Sequence, residues 1–472
     1  MNISIWNTSD TMHAANCTPR ISLGEVPSGI FTEEQLRNGA IAVPVVVVIY
    51  MLYGMTIACD RYFVPALECI CERLNLQEDV AGATFMAFGS SAPEFLTTLI
   101  SMLMRSGSIG FGTVIGSAAF NLLLIPGIVG LITAGTLSWW SIVRDSTCYI
   151  MSIALLIIVV YDFYVTWWEA IILICAYGFY ILIMVFNRWL GERAETAAKK
   201  CCSNRGRKKE KDGEKAPLIA RNGTYNAIDG ENNKSVPNGE SHHAVDQSSM
   251  EKATDGVITT SGEYEVYTPF RMPEDGLLGK CFCCCGFPIH LAMYLVTPDC
   301  RKEKNKSWYI VTFVMSSLWM GGFCYIAVWM VEVIGFIAGI PDVLMGLVFL
   351  SIGSSLPDLV LSILVAREGH LDMSIANAIG SNVFDILICM GLPCLIVAFI
   401  GMVDGNDMQL IDDSSYLFIL AMLLVCVFLV LACIGAAKWR INRVLGVVFL
   451  LMYVLFIVAS VTQQTYGRNY CE

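Results

Sequence analysis

Apolar and polar positions alternate along this chain in long blocks, with apolar runs of about twenty residues separated by polar turns. A helix of that length crosses the hydrocarbon core of a bilayer. Because backbone groups in lipid must be hydrogen-bonded internally, the pattern predicts an all-α polytopic membrane protein. We expect ten transmembrane helices, over residues 39–59, 79–104, 108–133, 147–165, 167–187, 308–334, 341–365, 374–400, 416–436 and 442–462.

One long polar break divides the ten predicted helices into two sets of five. It is rich in Asn, Gly, Ser, Lys and Glu, a composition that buries too little apolar surface to fold, so most of it is expected to be disordered. The predicted domains are a tail 1–37, a first transmembrane half 38–187, the break 188–306, a second transmembrane half 307–463 and a tail 464–472.

Basic residues of the short turns indicate the orientation of the chain, since Lys and Arg concentrate on the cytoplasmic side of membranes. With residue 1 outside, the break and most basic turns are cytoplasmic, and both tails are extracellular. The sequons at Asn2, Asn7 and Asn16 then predict a glycoprotein. This orientation fits the plasma membrane, with an intracellular membrane of the secretory pathway as the alternative.

A repeat relates the two halves of the chain. GSSAPE at 89–94 and GSAAFN at 116–121 match GSSLPD at 353–358 and GSNVFD at 380–385, with one constant offset of 264 residues. Identities between 82–127 and 346–391 fall mainly on Gly, Ser and Pro, which indicates an internal repeat. Because each half has five predicted helices, equivalent helices run in opposite directions, as two inverted repeats.

The repeat motifs place three acids inside apolar segments: Glu94, Asp358 and Asp385. An ionisable group at bilayer depth costs at least ~2.5–3.5 kcal/mol, so it normally faces a partner, a cavity or an ion path. Glu94 and Asp358 occupy the same repeat position, and 27 residues later the chain has Asn121 and Asp385. Helix packing alone is the alternative interpretation of the small residues, but an acid in both repeats favours an ion site.

The residues around these acids offer mainly oxygen ligands. A hard oxygen set without His or Cys suits sodium, potassium, calcium or magnesium rather than zinc, copper or iron. Glycine and proline beside the acids weaken the helical ladder and free backbone carbonyls. The candidate metal ligands are Glu94, Asp358, Asp385, Ser90, Ser91, Ser117, Asn121, Ser354, Ser355, Ser381 and Asn382.

Composition narrows the class of protein further. The 472 residues are 56% hydrophobic and 15% charged, and the basic residues gather at turns, so the charge pattern reflects membrane topology and not nucleic-acid binding. No nucleophile–base pair or phosphate-binding loop suggests an enzyme, and no cofactor is expected. The partners implied are membrane lipid and transported cations; neither a regulator that binds the break nor an oligomeric state is indicated.

The 19 cysteines are scattered along the chain, and those in the apolar segments are expected to act as small hydrophobes. Cysteines at 201–202 and in the CFCCC run at 281–285 lie on the break. Their place near the membrane suggests palmitoylation, with unmodified thiols as the alternative. Cys17 and Cys471 are both expected outside, which leaves a disulfide between them open.

These motifs resemble the potassium-dependent sodium/calcium exchanger family, within the cation/calcium exchanger superfamily. GATFMAFGSSAPE at 82–94 and GTVIGSAAFNLL at 112–123 are similar to the first repeat of that family. GLVFLSIGSSLPD at 346–358 and IGSNVFDILI at 379–388 are similar to the second repeat, and FPIHLAMYLVTPDCR at 287–301 to the segment before the sixth helix. The resemblance covers nearly all of the membrane part.

The resemblance implies an antiporter that exchanges sodium for calcium, with potassium cotransported with calcium, by alternating access. It makes Glu94 and Asp358 the central calcium ligands, and it associates Asp385 with potassium. Ser90, Ser91, Ser117, Asn121, Ser354, Ser355 and Ser381 complete the calcium and sodium sites. A calcium/proton or other divalent cation exchanger of the same fold is the alternative, followed by a passive cation channel.

The chain departs from the family pattern at four positions. Phe88 stands where the family has a small alanine, and Val348, Ser351 and Ile352 replace a threonine and two alanines. The lost hydroxyl at Val348 and the bulk of Phe88 predict an altered sodium affinity, an altered stoichiometry or a reduced transport rate.

Overall fold

The computed structural model describes residues 41–74, 87–104, 106–161, 165–186, 276–301, 303–367, 369–404 and 415–469. These residues are almost entirely helical, and they include nine helices long and apolar enough to cross a membrane. The sequence predicts the same class of fold. The first tail, residues 187–275 and the acidic turn 405–414 lie outside the described residues, as do the sequons, Cys17, Cys471 and the cysteines at 201–202. Of the predicted second tail 464–472, residues 464–469 are described, and they continue the last helix.

The described part of the first half contains eight α-helices, two π turns and one short strand. Each π turn is continuous with the α-helix on either side, so a π turn marks a bulge within a longer helix. In chain order the elements are α1 (Ala42–Ala58), a π turn (Cys59–Phe63), α2 (Val64–Arg73), α3 (Ala87–Ser90), α4 (Ala92–Leu103), α5 (Gly107–Ala119), a π turn (Phe120–Leu124), α6 (Ile125–Ile132), β1 (Gly135–Thr136), α7 (Trp139–Val160) and α8 (Trp167–Val185).

The second half has the same kinds of element, and one helix precedes it within the polar break. That helix, α9, runs from Gly276 to Val296 and is followed by a 3₁₀ helix at Glu303–Trp308. The remaining elements are α10 (Tyr309–Ala338), α11 (Asp342–Leu344), a π turn (Met345–Leu350), α12 (Ser351–Arg367), α13 (Leu371–Phe384), a π turn (Asp385–Cys389), α14 (Gly391–Asp404), α15 (Ser415–Ala436), β2 (Arg440–Ile441) and α16 (Arg443–Asn469).

Three helix boundaries differ from those the sequence predicts. The last helix, predicted to end at residue 462, runs on to Asn469. The first helix does not end near Cys59, because the π turn at Cys59–Phe63 carries it on into α2. Helix α7 begins at Trp139 rather than near residue 147. Its polar first turns are accommodated because Arg144 holds the carboxylate of Asp145 at 2.7 and 2.9 Å, so the two charges are paired. From hydropathy alone, two adjacent charged residues such as Arg144 and Asp145 are predicted to lie in a turn.

The second predicted helix, 79–104, is described only from residue 87 onward. There it consists of α3 and α4, with Ser91 between them in a non-helical conformation. Pro93 follows in the first turn of α4, where its missing N–H leaves no intrahelical hydrogen bond unmade. The small-residue and proline motif therefore interrupts this helix beside Glu94.

Contacts between helix ends define two opposite faces of the bundle. At one face, which we call the basic face, Arg301 donates to the backbone carbonyl of Asp60 at 3.2 Å. At the same end of the bundle, β1 pairs antiparallel with β2, and the backbone N–H of Ser138 donates to Asp372 at 2.7 Å. The basic face therefore joins turns from both halves.

At the other face, Ser106 bonds to Glu332, and the hydroxyl of Tyr416 donates to the carbonyl of Ser108 at 2.9 Å. Helix α4 runs toward this face, whereas the helix formed by α11, its π turn and α12 starts there and runs away. The helices that carry Glu94 and Asp358 are thus antiparallel, which confirms the inverted arrangement predicted from the repeat.

Glycines let the two repeats approach each other closely. A Cβ on Gly112 or Gly116 of α5 would collide with the carbonyl of Val343 or Leu347, and a Cβ on Gly346 would collide with the carbonyl of Ile109. Lipid tails are as apolar as the helices, so the hydrophobic effect does not drive helices together in a membrane. Close backbone packing of this kind is therefore a main source of helix association. The α5 interface with the π turn at Met345–Leu350 is therefore the tight junction between the halves.

Candidate functional site

Glu94 lies in the first turn of α4 and is only 1% exposed. The hydroxyl of Ser355, from the other repeat, donates to its Oε1 at 3.4 Å. Its second oxygen, Oε2, is buried without a hydrogen-bond partner in the described part of the protein. A buried carboxylate oxygen without a partner carries a large desolvation cost, which a bound cation offsets.

Asp358 and Asp385 come from the second repeat and lie close to Glu94. Asp358 is half-buried in α12, and its carboxylate interacts electrostatically with both Glu94 and Asp385. Asp385 is 1% exposed and begins a π turn. The thiol of Cys389 approaches Asp385 Oδ1 at 3.7 Å. The three acids that the sequence singles out are therefore neighbours in space, on helices from both halves.

Some of the predicted serines face these acids. Ser355 donates its hydroxyl to Glu94, and Ser354 lies beside Glu94 while its own hydroxyl donates to the carbonyl of Ser351 at 3.3 Å. Ser91 presents its hydroxyl to Asp385. Hydroxyls in such positions supply neutral oxygen ligands next to the carboxylates, as a hard cation requires.

The remaining predicted serines bond to carbonyls of their own helices. Ser90 is exposed, and its hydroxyl donates to Ala87 at 3.1 Å. Ser117 is fully buried and donates to Val114 at 3.0 Å, while Ser381 donates to Ala378 at 3.4 Å. These hydroxyls satisfy the helix backbone here, so each has to rotate before it can serve a cation.

The two asparagines occupy different settings. Asn121 is 1% exposed and its side-chain amide lies against Asp358, while its Oδ1 has no hydrogen-bond partner among the described residues. Asn382 donates to the carbonyl of Ala118 at 3.4 Å, and its Oδ1 has no partner there. Buried amides normally find partners, so the unpaired oxygens of Asn121 and Asn382 are suited to a cation.

Within the described residues, no three His, Cys, Asp or Glu side chains lie close enough together to hold a metal ion by themselves. A cation between the acids must therefore take further ligands from hydroxyls, amides and main-chain carbonyls. The π turns at Phe120–Leu124 and Asp385–Cys389 interrupt the helical ladder beside Asn121 and Asp385. Such bulges occur often at functional sites, because they leave carbonyls outside the regular hydrogen-bond pattern.

The structure adds residues to the site that the sequence did not indicate. The thiol of Cys59 donates to the carbonyl of Gly89 at 3.3 Å and so ties the first π turn to the helix before Glu94. Next to it, Asp60 interacts electrostatically with Asp358. The sequence placed Asp60 in a cytoplasmic turn. The one feature of the sequence that distinguished Asp60 was its position directly after an unbroken apolar run.

Phe88, a departure from the family pattern, fills space beside the acids. Its ring centroid lies 5.6 Å from Phe63, 5.5 Å from Phe95 and 6.3 Å from Phe384. Phe384 immediately precedes Asp385, so Phe88 joins the first helix to the helix that carries this acid. The bulk of Phe88 is thus accommodated by an aromatic cluster, which we call the Phe88 cluster.

Val348, Ser351 and Ile352 lie on and after the π turn at Met345–Leu350. The hydroxyl of Ser351 is buried and donates to the carbonyl of Leu347. Val348 and Ile352 are half-buried and pack against the main hydrophobic core. These side chains therefore serve packing at the junction with α5, and Val348 brings no oxygen toward the acids.

Two inverted helical repeats that meet at buried acids define a secondary cation transporter. The family described as "Sodium/calcium exchanger protein" matches residues 44–186 and 308–462. The chain belongs to this family.

The similarity to named relatives extends over most of the chain. It is 34% identical to the human protein named "Sodium/potassium/calcium exchanger 3", over 95% of this chain and 84% of that relative. It is 36% identical to human "Sodium/potassium/calcium exchanger 5", over 93% of this chain and 86% of that relative. A solved structure of the sodium-calcium exchanger NCX_Mj aligns with a TM-score of 0.44 and 18% identity, covering 88% of this chain and 98% of that one.

Proposed function

We propose that this protein is an antiporter that moves sodium in one direction and calcium together with potassium in the other. Its relatives are named for these three ions. The observation that carries the proposal is the approach of Glu94, Asp358 and Asp385, with a buried oxygen of Glu94 left without a partner.

Calcium binds between Glu94 and Asp358, the acids that hold equivalent positions in the two repeats. A divalent cation balances both charges and draws further oxygens from Ser354, Ser355 and Asn121. Sodium ions occupy overlapping positions, because sodium also prefers hard oxygen ligands. As a monovalent ion it needs less negative charge around it than calcium does. Since one site cannot hold both loads at once, binding of sodium on one side releases calcium, and exchange follows.

Potassium binds at Asp385. Its counterpart in the first repeat is the neutral Asn121, so the second repeat carries one additional negative charge at this position. The hydroxyl of Ser91 faces the same carboxylate. A site with one charge and several neutral oxygens suits a monovalent cation better than calcium.

Ions reach the site alternately from the two faces of the bundle. Helices α1 and α10 pack extensively against each other and share a hydrophobic cluster around Met55, Met320 and Phe323. The main core instead joins α5, α7, α8 and the second-repeat helices. Displacement of the α1–α10 pair along the main core is the motion that opens one face and closes the other.

The basic face is cytoplasmic, because Lys and Arg collect on that side of membrane proteins. Arg61, Arg73, Arg301, Arg367 and Arg440 lie there. The opposite face, with Glu332 and Asp342, is then extracellular or luminal. In this orientation calcium and potassium leave the cytoplasm as sodium moves in, and the plasma membrane is the proposed location.

Flux across proteoliposomes tests this function. Vesicles loaded with calcium and potassium release calcium when external sodium is raised, and the release falls when internal potassium is replaced by N-methylglucamine. Glu94→Gln and Asp358→Asn lower the rate at least about a hundredfold, since each removes a charge that holds the divalent ion.

Glu332→Gln is the matched control, because this acid is also partly buried but bonds to Ser106 at the opposite face. It should retain exchange. Calcium release that ignores the sodium gradient contradicts the proposal, and release driven by a pH gradient without sodium identifies a proton exchanger instead.

A further inference from the structure

Cys389 closes the π turn that Asp385 begins, and it is fully buried. Its sulfur lies 3.7 Å from Oδ1 of Asp385 and 3.7 Å from the backbone carbonyl oxygen of Ser91. Asp385 belongs to the second repeat, whereas Ser91 belongs to the first repeat and directly precedes α4. The thiol therefore lies between an acid of one repeat and the main chain of the other.

A thiol carries one proton, so it donates to only one of these two oxygens at a time. The carbonyl of Ser91 already accepts a hydrogen bond from the backbone N–H of Phe95 at 2.9 Å, and its second lone pair is left for the thiol. A hydrogen bond to an ionised carboxylate is stronger than one to a neutral carbonyl. The thiol therefore donates to Asp385 as long as no cation balances the charge of that carboxylate.

Ser91 connects the thiol to the acid of the first repeat. Its hydroxyl faces Asp385, so both its side chain and its carbonyl approach the second repeat. Its backbone is non-helical and leads into the first turn of α4, which holds Glu94. A hydrogen bond from the thiol to the carbonyl of Ser91 therefore fixes the start of the helix on which Glu94 lies.

The first repeat lacks this arrangement. With the repeat offset of 264 residues, Asp385 corresponds to Asn121, and Cys389 corresponds to Ile125. The first repeat thus combines a neutral amide with an apolar side chain that cannot donate a hydrogen bond. The additional charge of the second repeat and the thiol that faces it occur together, on one π turn.

We propose that Cys389 is a positioning residue that couples the binding of potassium at Asp385 to the binding of calcium at Glu94. This inference rests on the proposed function. When potassium balances the charge of Asp385, the thiol turns from that carboxylate to the carbonyl of Ser91 and thereby orders the first turn of α4 for calcium. Without the thiol, each ion still finds its own oxygen ligands, but the binding of one no longer assists the binding of the other.

Equilibrium binding to the purified full-length protein measures this coupling. The apparent Kd for radioactive calcium is determined without sodium, once in N-methylglucamine chloride and once in potassium chloride. Coupled sites typically change each other's affinity by a factor of about 5 to 150. Potassium should therefore lower the calcium Kd of the wild-type protein at least about fivefold, and that of Cys389→Ala by less than about twofold.

The reciprocal measurement uses rubidium as the substitute for potassium. Calcium should strengthen the binding of rubidium by the same factor as potassium strengthens the binding of calcium, because the coupling free energy between two sites is reciprocal. Rubidium alone should still bind to Cys389→Ala, since Asp385 keeps its charge.

Two further variants separate the proton of the thiol from its packing. Cys389→Ser keeps a hydrogen-bond donor at nearly the same place and should retain most of the coupling. Cys394→Ala is the matched control, because Cys394 is also buried, lies on the following helix α14, and its thiol makes no hydrogen bond among the described residues. It should couple the two ions as the wild-type protein does.

Infrared spectroscopy observes the thiol itself. The S–H stretching frequency falls as the hydrogen bond strengthens, and the carboxylate is the stronger acceptor. Exchange of N-methylglucamine for potassium should therefore raise the frequency of one S–H band in the wild-type protein and in Cys394→Ala. The difference spectrum of Cys389→Ala should lack this change.

Three outcomes overturn the inference. One is coupling of the wild-type size in Cys389→Ala, and another is an S–H spectrum that potassium does not change. The third is loss of coupling in Cys389→Ser at the melting temperature of the wild type, because the volume of the sulfur and not its proton would then matter. If wild-type proteoliposomes show no sodium-dependent calcium release, the proposed function fails, and that result is distinct from normal exchange with unchanged coupling in Cys389→Ala.

Discussion

The side-chain amide of Asn382 donates a hydrogen bond to the backbone carbonyl of Ala118 at 3.4 Å. These two residues hold the same position in the two repeats, since their numbers differ by the repeat offset of 264. Residues related by a two-fold axis touch only near that axis. The contact therefore marks where the pseudo-two-fold axis passes between α5 and α13, close to Asn121 and Asp385.

The two repeats differ in charge at one position, where the second has Asp385 and the first has Asn121, and a substitution at Asp385 tests what this difference does. Asp385→Asn should remove the dependence of calcium release on internal potassium, because the neutral amide lacks the charge that holds a monovalent cation. Calcium release itself should stay within about threefold of the wild-type rate, since Glu94 and Asp358 are intact. The measurement is calcium efflux against internal potassium concentration.

Asp372→Asn is the control for this prediction, because Asp372 accepts a hydrogen bond from the backbone of Ser138 at the basic face and lies away from the acids. It should keep the potassium dependence. A potassium dependence that persists in Asp385→Asn would place the potassium site elsewhere.

The glycine junction between the halves predicts a change in stability. Gly346→Ala forces a Cβ onto the carbonyl of Ile109, and overpacking of this kind costs about 1–3 kcal/mol. The melting temperature of the purified protein in detergent should fall by several degrees.

Gly178→Ala provides the comparison, since a Cβ there meets nothing within 4 Å. Alanine is the better helix former by about 1 kcal/mol, so the melting temperature of this variant should stay the same or rise. Equal melting temperatures for both variants would mean that the close approach of α5 to Gly346 is absent in the membrane protein.

The Phe88 cluster predicts a change in transport rate. Its rings join the first helix to the helix of Asp385, and they have to separate when the α1–α10 pair moves. Phe88→Ala should therefore raise the maximal rate of exchange while lowering the melting temperature, because removing a half-buried aromatic side chain from this cluster costs less than the about 3–5 kcal/mol of a fully buried one but still leaves a gap. Stopped-flow calcium efflux measures the rate.

Phe313→Ala separates these two effects. Phe313 stacks on Phe63 at 5.1 Å, and no ring contact joins it to Phe384 among the described residues. It should lower stability without a gain in rate. A rate that falls in both variants would show that the Phe88 cluster supports the site and does not restrain the motion.

Cys300 lies outside the membrane-spanning helices, and its surroundings predict that the reactivity of its thiol depends on pH. Its hydrogen bond with Cys69, together with burial, raises the pKa of the Cys300 thiol. Because only the thiolate reacts with an alkylating reagent, labelling by N-ethylmaleimide should be slow at neutral pH and should accelerate as pH rises.

Cys69→Ala removes the first cause of this pKa shift and should speed up labelling of Cys300 at neutral pH. Peptide mass spectrometry reports the labelled fraction over time, and labelling in detergent-denatured protein gives the maximal rate. Rapid labelling of the folded wild-type protein at neutral pH would contradict the buried contact between the two thiols.

Much of this architecture follows from the sequence, because membrane helices and repeats leave local signals. The apolar runs gave the helices, and the constant spacing of GSSAPE and GSSLPD paired Glu94 with Asp358. Their closeness was predictable, since inverted repeats cross at the middle of the membrane. The potassium assignment of Asp385 rests on family resemblance and stays a prediction.

The sequence could not show which side chains face the acids, because rotation of a helix and its π turns are set by packing. Ser90 and Ser91 are adjacent and chemically identical, yet Ser90 is exposed and Ser91 faces Asp385. Asp60 was missed for a similar reason. A π turn adds one residue to a helical turn, and hydropathy carries no signal for it.

The pairing of β1 with β2 has a further consequence for how the molecule holds together. Gly135 and Thr136 of the first half bond to Ile441 and Arg440 of the second, and the glycine junction at Gly346 joins the same halves within the bundle. Chain continuity through 187–275 is therefore not what keeps the repeats together. Two separately translated fragments, cut within that segment, should assemble into one functional unit that survives purification through a tag on either fragment.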